Sequence, residues 1–157
     1  GTQITGYGII KSDSGVLHPI DYGCVRPPPS FKLSDRYLII FDAVEALLES
    51  HRPQALVVET QYVHKNPQSA IKLGMARGII IIAAKRKGIP VFEYGPTEAK
   101  SAVVGNGRAS KQQVQGMVKL LLNLDKIPSP EDAADALALA ICHAHSLRFR
   151  ELCNFEI

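Results

Sequence analysis

Disulfide frameworks, cysteine zinc sites, membrane spans and repeats are all missing from this sequence, and each absence excludes a class. Its cysteines are Cys24, Cys142 and Cys153, widely spaced and without a CxxC pair. That argues against a disulfide scaffold or a cysteine zinc site and leads us to expect reduced thiols. The longest apolar run, Gly78 to Ala84, is far shorter than a bilayer needs and ends at Lys85-Arg86-Lys87. No secretory signal is legible, so a cytoplasmic protein that makes no membrane contact is expected. Without internal repeats, low-complexity tracts or linker-like stretches, residues 1–157 read as a single domain in which 146–157 form a C-terminal tail. A net charge of +3 and pI of about 8.8 permit nucleic-acid binding without establishing it.

What is present is an ordinary globular composition, 46% hydrophobic and 21% charged, long enough to bury a core. Thr5–Ser12 and Val16–Arg26 read as two strands joined by a turn at Asp13-Ser14-Gly15. Leu33, Tyr37, Phe41, Val44 and Leu48 recur at helical spacing over 32–50. Ala55–Glu59 is a short buried strand. Asn66-Pro67 then supplies an N-cap and a first-turn proline for a long helix reaching about Lys87, although Ile79–Ile82 alone would favour a strand. Ile89–Tyr94 is a further strand, and helices are expected from Pro96, after Ser110 and from Ser129-Pro130. The expected order is β-β-α-β-α-β-α-α-α, an α/β sandwich of mixed sheet and flanking helices.

The last of these helices, "SPEDAADALALAICHAH" (Ser129–His145), carries Asp132 and Asp135 in an otherwise apolar stretch. Three residues apart, they lie about 60° apart and roughly 4.5 Å along the axis, on one face. Ser129 and Asp132 fit a capping box with Pro130 at the first helical position, which gives Asp132 a structural reason to be there. Asp135 has none. Two like charges so placed repel unless a cation lies between them. On these residues alone a metal site and a solvated acidic helix start stand level. Glu59, ending an apolar strand where functional groups often emerge, adds a third carboxylate. Three oxygen donors converging from a strand end and a helix start would suit Mg2+.

"GTQITGYGII", "VVETQYV", "SAIKLGMARG", "PVFEY", "VVGNGRASKQQVQGMV" and "DAADALALAICHAH" together resemble, in order, the blocks of the bacterial RuvC Holliday-junction resolvases. The resemblance implies a ribonuclease H-like fold, a homodimer, and cleavage of four-way junction DNA that depends on Mg2+, two ions per site. Partnership with the branch-migration proteins RuvA and RuvB is implied as well. It makes Glu59, Asp132 and Asp135 the catalytic metal ligands. Tyr62 matches a position whose ring can stack on an opened base, and Lys100 and Lys111 match basic positions beside the site. Arg108, Lys65 and His64 are further candidates for backbone contacts. His143 either orients a ligand or water from behind or is a buried helix histidine. Gly74 and Gly78 would let another element approach closely, and the resemblance places their helix at the two-fold interface.

In the family the opening block reads D-P-G-[TS], its aspartate ending a central first strand and serving as a fourth ligand. The sequence here opens at that glycine, Gly1, so the aspartate and its strand are expected upstream. A chain truly starting at Gly1 is expected to be insoluble or unfolded, and inactive. Three other readings compete. A non-catalytic junction-binding protein would keep Tyr62 and the lysines, and another ribonuclease H-like nuclease would keep the carboxylates. The "GT…TGYG" stretch with its hairpin also resembles the phosphate loop of sugar-kinase and actin-like ATPases, which need two such domains and a longer chain.

Overall fold

In the computed structural model, which describes residues 2–61, 66–147 and 156–157, the nine elements appear in the order that the sequence predicts. β1 (Thr5–Asp13) and β2 (Val16–Val25) form an antiparallel hairpin in which Thr5 faces Val25 and Asp13 faces Val16. Ser14 and Gly15 close it with φ of 49° and 86°. Positive φ at both turn residues suits the right-handed twist of the two strands. α1 (Leu33–His51) buries Tyr37, Ile40, Val44 and Leu48, the stripe expected from its spacing, with Ile40 rather than Phe41 at the centre. β3 (Leu56–Glu59) and β4 (Val91–Tyr94) pair in parallel, Leu56 beside Val91 and Glu59 beside Tyr94. Between them runs α2 (Pro67–Arg86), helical through Ile79–Ile82 as well. Asn66 caps it by accepting hydrogen bonds from the Gln68 and Ser69 amides.

α3 (Pro96–Val104), α4 (Lys111–Leu121) and α5 (Glu131–Ser146) complete the described helices. Ser110 caps α4 in a capping box with Gln113. The capping box expected for α5 is not formed. Pro130 is itself the N-cap, without a side-chain cap hydrogen bond, and the helix begins at Glu131. A proline at the cap has no side-chain acceptor, so Ser129 stands one position too early to serve.

Alternation along β3 and β4 gives the sheet two sides. Val58 and Val91 face α1 and α2, in a cluster with Ile40, Val44, Leu48, Ala83 and Ala84. Val57, Phe92 and Tyr94 face α5, against Leu139 and Cys142. A third cluster joins α4 and α5 through Val114, Val118, Leu122, Leu137 and Ile141.

The strands form two ladders, β1–β2 and β3–β4. The facing edges of β1 and β3 are separated by a cavity of about 880 Å³, lined also by Val44 and Leu48 of α1 and by Asp132, Asp135, Leu139 and His143 of α5. A seam thus runs between the two ladders. On the outer edge of β4, the Ile157 amide donates to the Val91 carbonyl at 2.9 Å, and Glu156 bridges to Phe92. Among the described residues Cys24 and Cys142 are free thiols, burial pushing that of Cys142 up to about 11. No described helix is long and apolar enough to cross a membrane.

Candidate active site

α5 is a nearly all-buried helix with an open corner. Ala133, Ala134, Leu137, Ala138, Ile141, Cys142, His143 and Ala144 are buried, whereas Glu131 and Asp135 are the exposed positions along it. Asp135 therefore is not buried in an apolar interior, despite its apolar neighbours in sequence. It stands at the rim of the seam, where solvent reaches it and protein walls still displace much of the surrounding water.

The close seating of α5 on β1 fixes that corner. A methyl group added at Gly6 would run into the Asp132 backbone carbonyl and lie 2.8 Å from Asp132 Cβ. One added at Gly8 would meet Leu137 Cγ and its amide nitrogen, each at 2.8 Å. Side chains two apart on a strand face the same way, so the "TGYG" glycines turn one smooth face to the helix. That role was missed in the sequence, although the signal was present: glycines at i and i+2 of a strand, and a helix of alanines elsewhere.

Glu59 ends β3 and is exposed on the same rim. Its register partner Tyr94 points to the α5 side, so Glu59 does too. Loss of bulk water and then the Asp135 charge raise its pKa, against a lowering by Lys111. Asp135 is raised in the same way, first by desolvation and further by Asp132 and Glu131, while Lys111 and Lys100 pull it down. Asp135 therefore lies within the fields of Asp132, Lys111 and Lys100, and Glu59 within those of Asp135 and Lys111. Asp132 is half-buried beside them.

Lys111 opens α4 and its ammonium donates to Glu131 at 3.1 Å, the contact that chiefly raises its pKa. Glu131 is the second residue missed in the sequence. It stands at the start of α5 and holds the lysine across the front of the carboxylates. Arg108 is exposed in the loop before α4, where its amide donates to Asn106 Oδ1. It is not among the groups that perturb the carboxylates. His143 is buried deeper along α5, its Nδ1 2.9 Å from the Tyr94 hydroxyl, and burial lowers its pKa. Tyr62, His64 and Lys65 lie outside the described residues.

Among the described residues no three potential ligands stand close enough together to form a ready cation cage. The donor chemistry nevertheless fits a hard cation. Partial desolvation raises the proton affinity of both Glu59 and Asp135, neighbouring carboxylates raise it further, and oxygen donors of this kind suit Mg2+.

A strand-end carboxylate beside a helix-borne acidic pair, on a layered α/β frame, is the arrangement that the resemblance attaches to ribonuclease H-like nucleases. The family described as Crossover junction endodeoxyribonuclease RuvC matches residues 1–143. A relative of that name from Protochlamydia amoebophila is 66% identical over 144 residues, covering 92% of this chain and 86% of its own length. One from Desulfitobacterium hafniense (strain DSM 10664 / DCB-2) is 46% identical over 147 residues, covering 94% and 89%. The solved structure of Thermus thermophilus RuvC in complex with Holliday junction substrate is similar with a TM-score of 0.90 at 33% identity, over 96% of this chain and 92% of that one. The Thermus thermophilus RuvC structure gives a TM-score of 0.87 over the same shares. The chain belongs to the crossover junction endodeoxyribonuclease RuvC family.

Proposed function

We propose that this chain is a structure-specific endonuclease that resolves four-way DNA junctions by hydrolysing phosphodiesters in paired, symmetric nicks. The observation that carries the reading is the meeting of Glu59 and Asp135 at one solvent-open rim within the fields of Lys100 and Lys111. Family membership adds independent support.

Glu59, Asp132 and Asp135 would hold Mg2+. Bound Mg2+ supplies a water of lowered pKa and neutralises charge at the phosphate. The residues' own contributions follow from their placement. The carboxylates concentrate negative charge at one corner, and Lys111 and Lys100 bring phosphate to it against that charge. Glu131 keeps Lys111 extended in front of the pair when no DNA is bound. Tyr62, three residues beyond Glu59, stacks on a base opened at the crossover, a contact worth about 1–3 kcal/mol.

The protein works as a homodimer in the cytoplasm, alongside RuvA and RuvB. α2 supplies the dimer face: Ile71, Met75 and Ile82 are 62%, 51% and 57% exposed, and a Cβ at Gly78 would meet nothing within 4 Å. Two sites related by a two-fold axis suit a substrate of similar symmetry.

The decisive experiment is Asp135→Asn on a synthetic four-way junction, read by nicking in Mg2+ and by gel shift. It is made in the full-length protein. Cleavage is expected to be lost and junction binding retained. Undiminished cleavage by Asp135→Asn would remove that residue from the active site.

A further inference from the structure

We infer that the hydrogen bond between Tyr94 and His143 is a positioning strut that sets the distance between the strand-borne and helix-borne carboxylates. The inference rests on the metal-site reading above and names two residues outside its ligand set.

Glu59 and the aspartates come from separate elements. Glu59 rides on β3, whose hydrogen-bonded neighbour is β4, and Asp132 and Asp135 ride on α5. Helix and sheet share no backbone ladder, and the close seating of α5 is on β1, not on the β3–β4 ladder that carries Glu59. Tyr94 is the register partner of Glu59, and its carbonyl accepts the Thr60 amide at 2.9 Å, directly beside that glutamate. Its hydroxyl crosses to α5 and meets His143 Nδ1 at 2.9 Å, with both side chains buried. His143 follows Asp132 by 11 residues, which returns it to within about 20° of the same helix face. Movement of α5 along its axis that shifts the aspartates therefore stretches this bond.

Two further contacts make the strut stiff. The Phe92 ring packs on the imidazole with centroids 4.4 Å apart, and the Tyr94 ring lies 5.9 Å from it. Both side chains are buried, where an unmade hydrogen bond costs more than at the surface, so the paired position is preferred. Mg2+ demands near-ideal octahedral distances, and a site held loosely loses affinity steeply. His143 and Tyr94 touch neither the metal nor DNA in this scheme. They act through the spacing of Glu59 from Asp135 and Asp132.

Tyr94→Phe deletes the hydroxyl alone. Direct metal titration by calorimetry should show Mg2+ affinity reduced about 10-fold, the low end for losing a group that orients ligands. Nicking should need correspondingly more Mg2+, with the rate recovering at saturation. His143→Asn, whose amide falls near the Nδ1 position, should keep most of the wild-type affinity, whereas His143→Leu should match Tyr94→Phe. If Tyr94→Phe lowers the melting temperature but leaves metal affinity and the Mg2+ requirement unchanged, the pair is only core packing and the inference is wrong. Failure of both Tyr94→Phe and His143→Asn to fold cooperatively would overturn it equally. Asp135→Asn is the control for the underlying reading. If it too leaves metal affinity unchanged, the carboxylate site itself fails, and the strut with it.

Discussion

α2 and α5 look alike as strings of small and aliphatic residues, yet the molecule uses them in opposite ways. α5 buries eight residues against its own chain, and α2 buries Ala76, Ala83 and Ala84. The glycines explain the contrast. On the α5 side they sit in the facing strand, where Gly6 and Gly8 bring β1 against the helix. On α2 they sit in the helix itself, at Gly74 and Gly78, where a Cβ would meet Gln61 Oε1 at 3.7 Å in the one case and nothing within 4 Å in the other. Apolar surface that a chain does not cover itself is the surface it offers to another. α5 is thus packed closely within its own chain, and α2 is left open.

Breaking the lock should have the largest effect. Gly6→Ala forces a methyl into the Asp132 backbone, so either β1 or the start of α5 must move. A cost of about 3 kcal/mol or more is expected, with cleavage lost because the displaced element carries Asp132. Thermal unfolding and junction nicking read the two consequences separately. Survival of both would mean that α5 is not seated as closely as described.

The open corner of α5 gives a second, smaller signal, visible in stability against pH. Glu59 and Asp135 have folded pKa values raised above those of the unfolded chain. Their contribution to stability is fully present below the unfolded carboxylate range, near about 4, and is lost as pH rises through the raised values. Metal-free protein should therefore lose melting temperature across that window, and Asp135→Asn should flatten the loss. Both groups are open to solvent, so screening should keep the difference within roughly 2–4 °C. Adding Mg2+ at neutral pH should restore the wild type and leave the variant unmoved. An identical pH profile for the two proteins would contradict the shared electrostatic environment.

The fold was largely legible because local signals agreed with it. The Asp13-Ser14-Gly15 turn, the Asn66 and Ser110 caps and the α1 stripe each mark a boundary or a face without needing a distant partner. Glu59, Asp132 and Asp135 stood out because carboxylates are conspicuous beside apolar runs. What escaped notice depends on contacts between distant segments. Glu131 reads as a solvated helix-start acid until Lys111, twenty residues earlier, is placed against it. Tyr94 reads as strand filler until His143 lies across from it. The α5 cap was misread for a local reason: Ser129 has the right chemistry, and Pro130 takes the position.

Filling the open face of α2 should change assembly and little else. Gly78→Leu adds a bulky side chain where this chain has nothing to clash with, so the isolated fold should keep its melting temperature or gain from better helix propensity. The dimer should weaken at least about 10-fold, the order expected when overpacking costs 1–3 kcal/mol at a closely approached interface. Sedimentation measures the association, and unfolding checks the monomer. If Gly78→Leu remains as dimeric as the wild type, the two-fold face lies elsewhere.

The smallest effect belongs to the connection between the two regimes. Tyr62 lies in sequence between Glu59, which ends β3, and Asn66, which caps α2. If its ring stabilises an unstacked base, the benefit depends on how costly unstacking is. A paired base at the crossover resists opening by a few kcal/mol, and a mismatched one resists less. Tyr62→Ala should therefore slow cleavage of a fully paired junction by roughly 5–150-fold, the span that a stacking contact of about 1–3 kcal/mol allows. On a junction mismatched at the crossover the loss should be several-fold smaller. The measurement is the ratio of the two losses at saturating Mg2+, which cancels any common effect on folding or metal binding. Equal losses would assign Tyr62 to packing within its own protein.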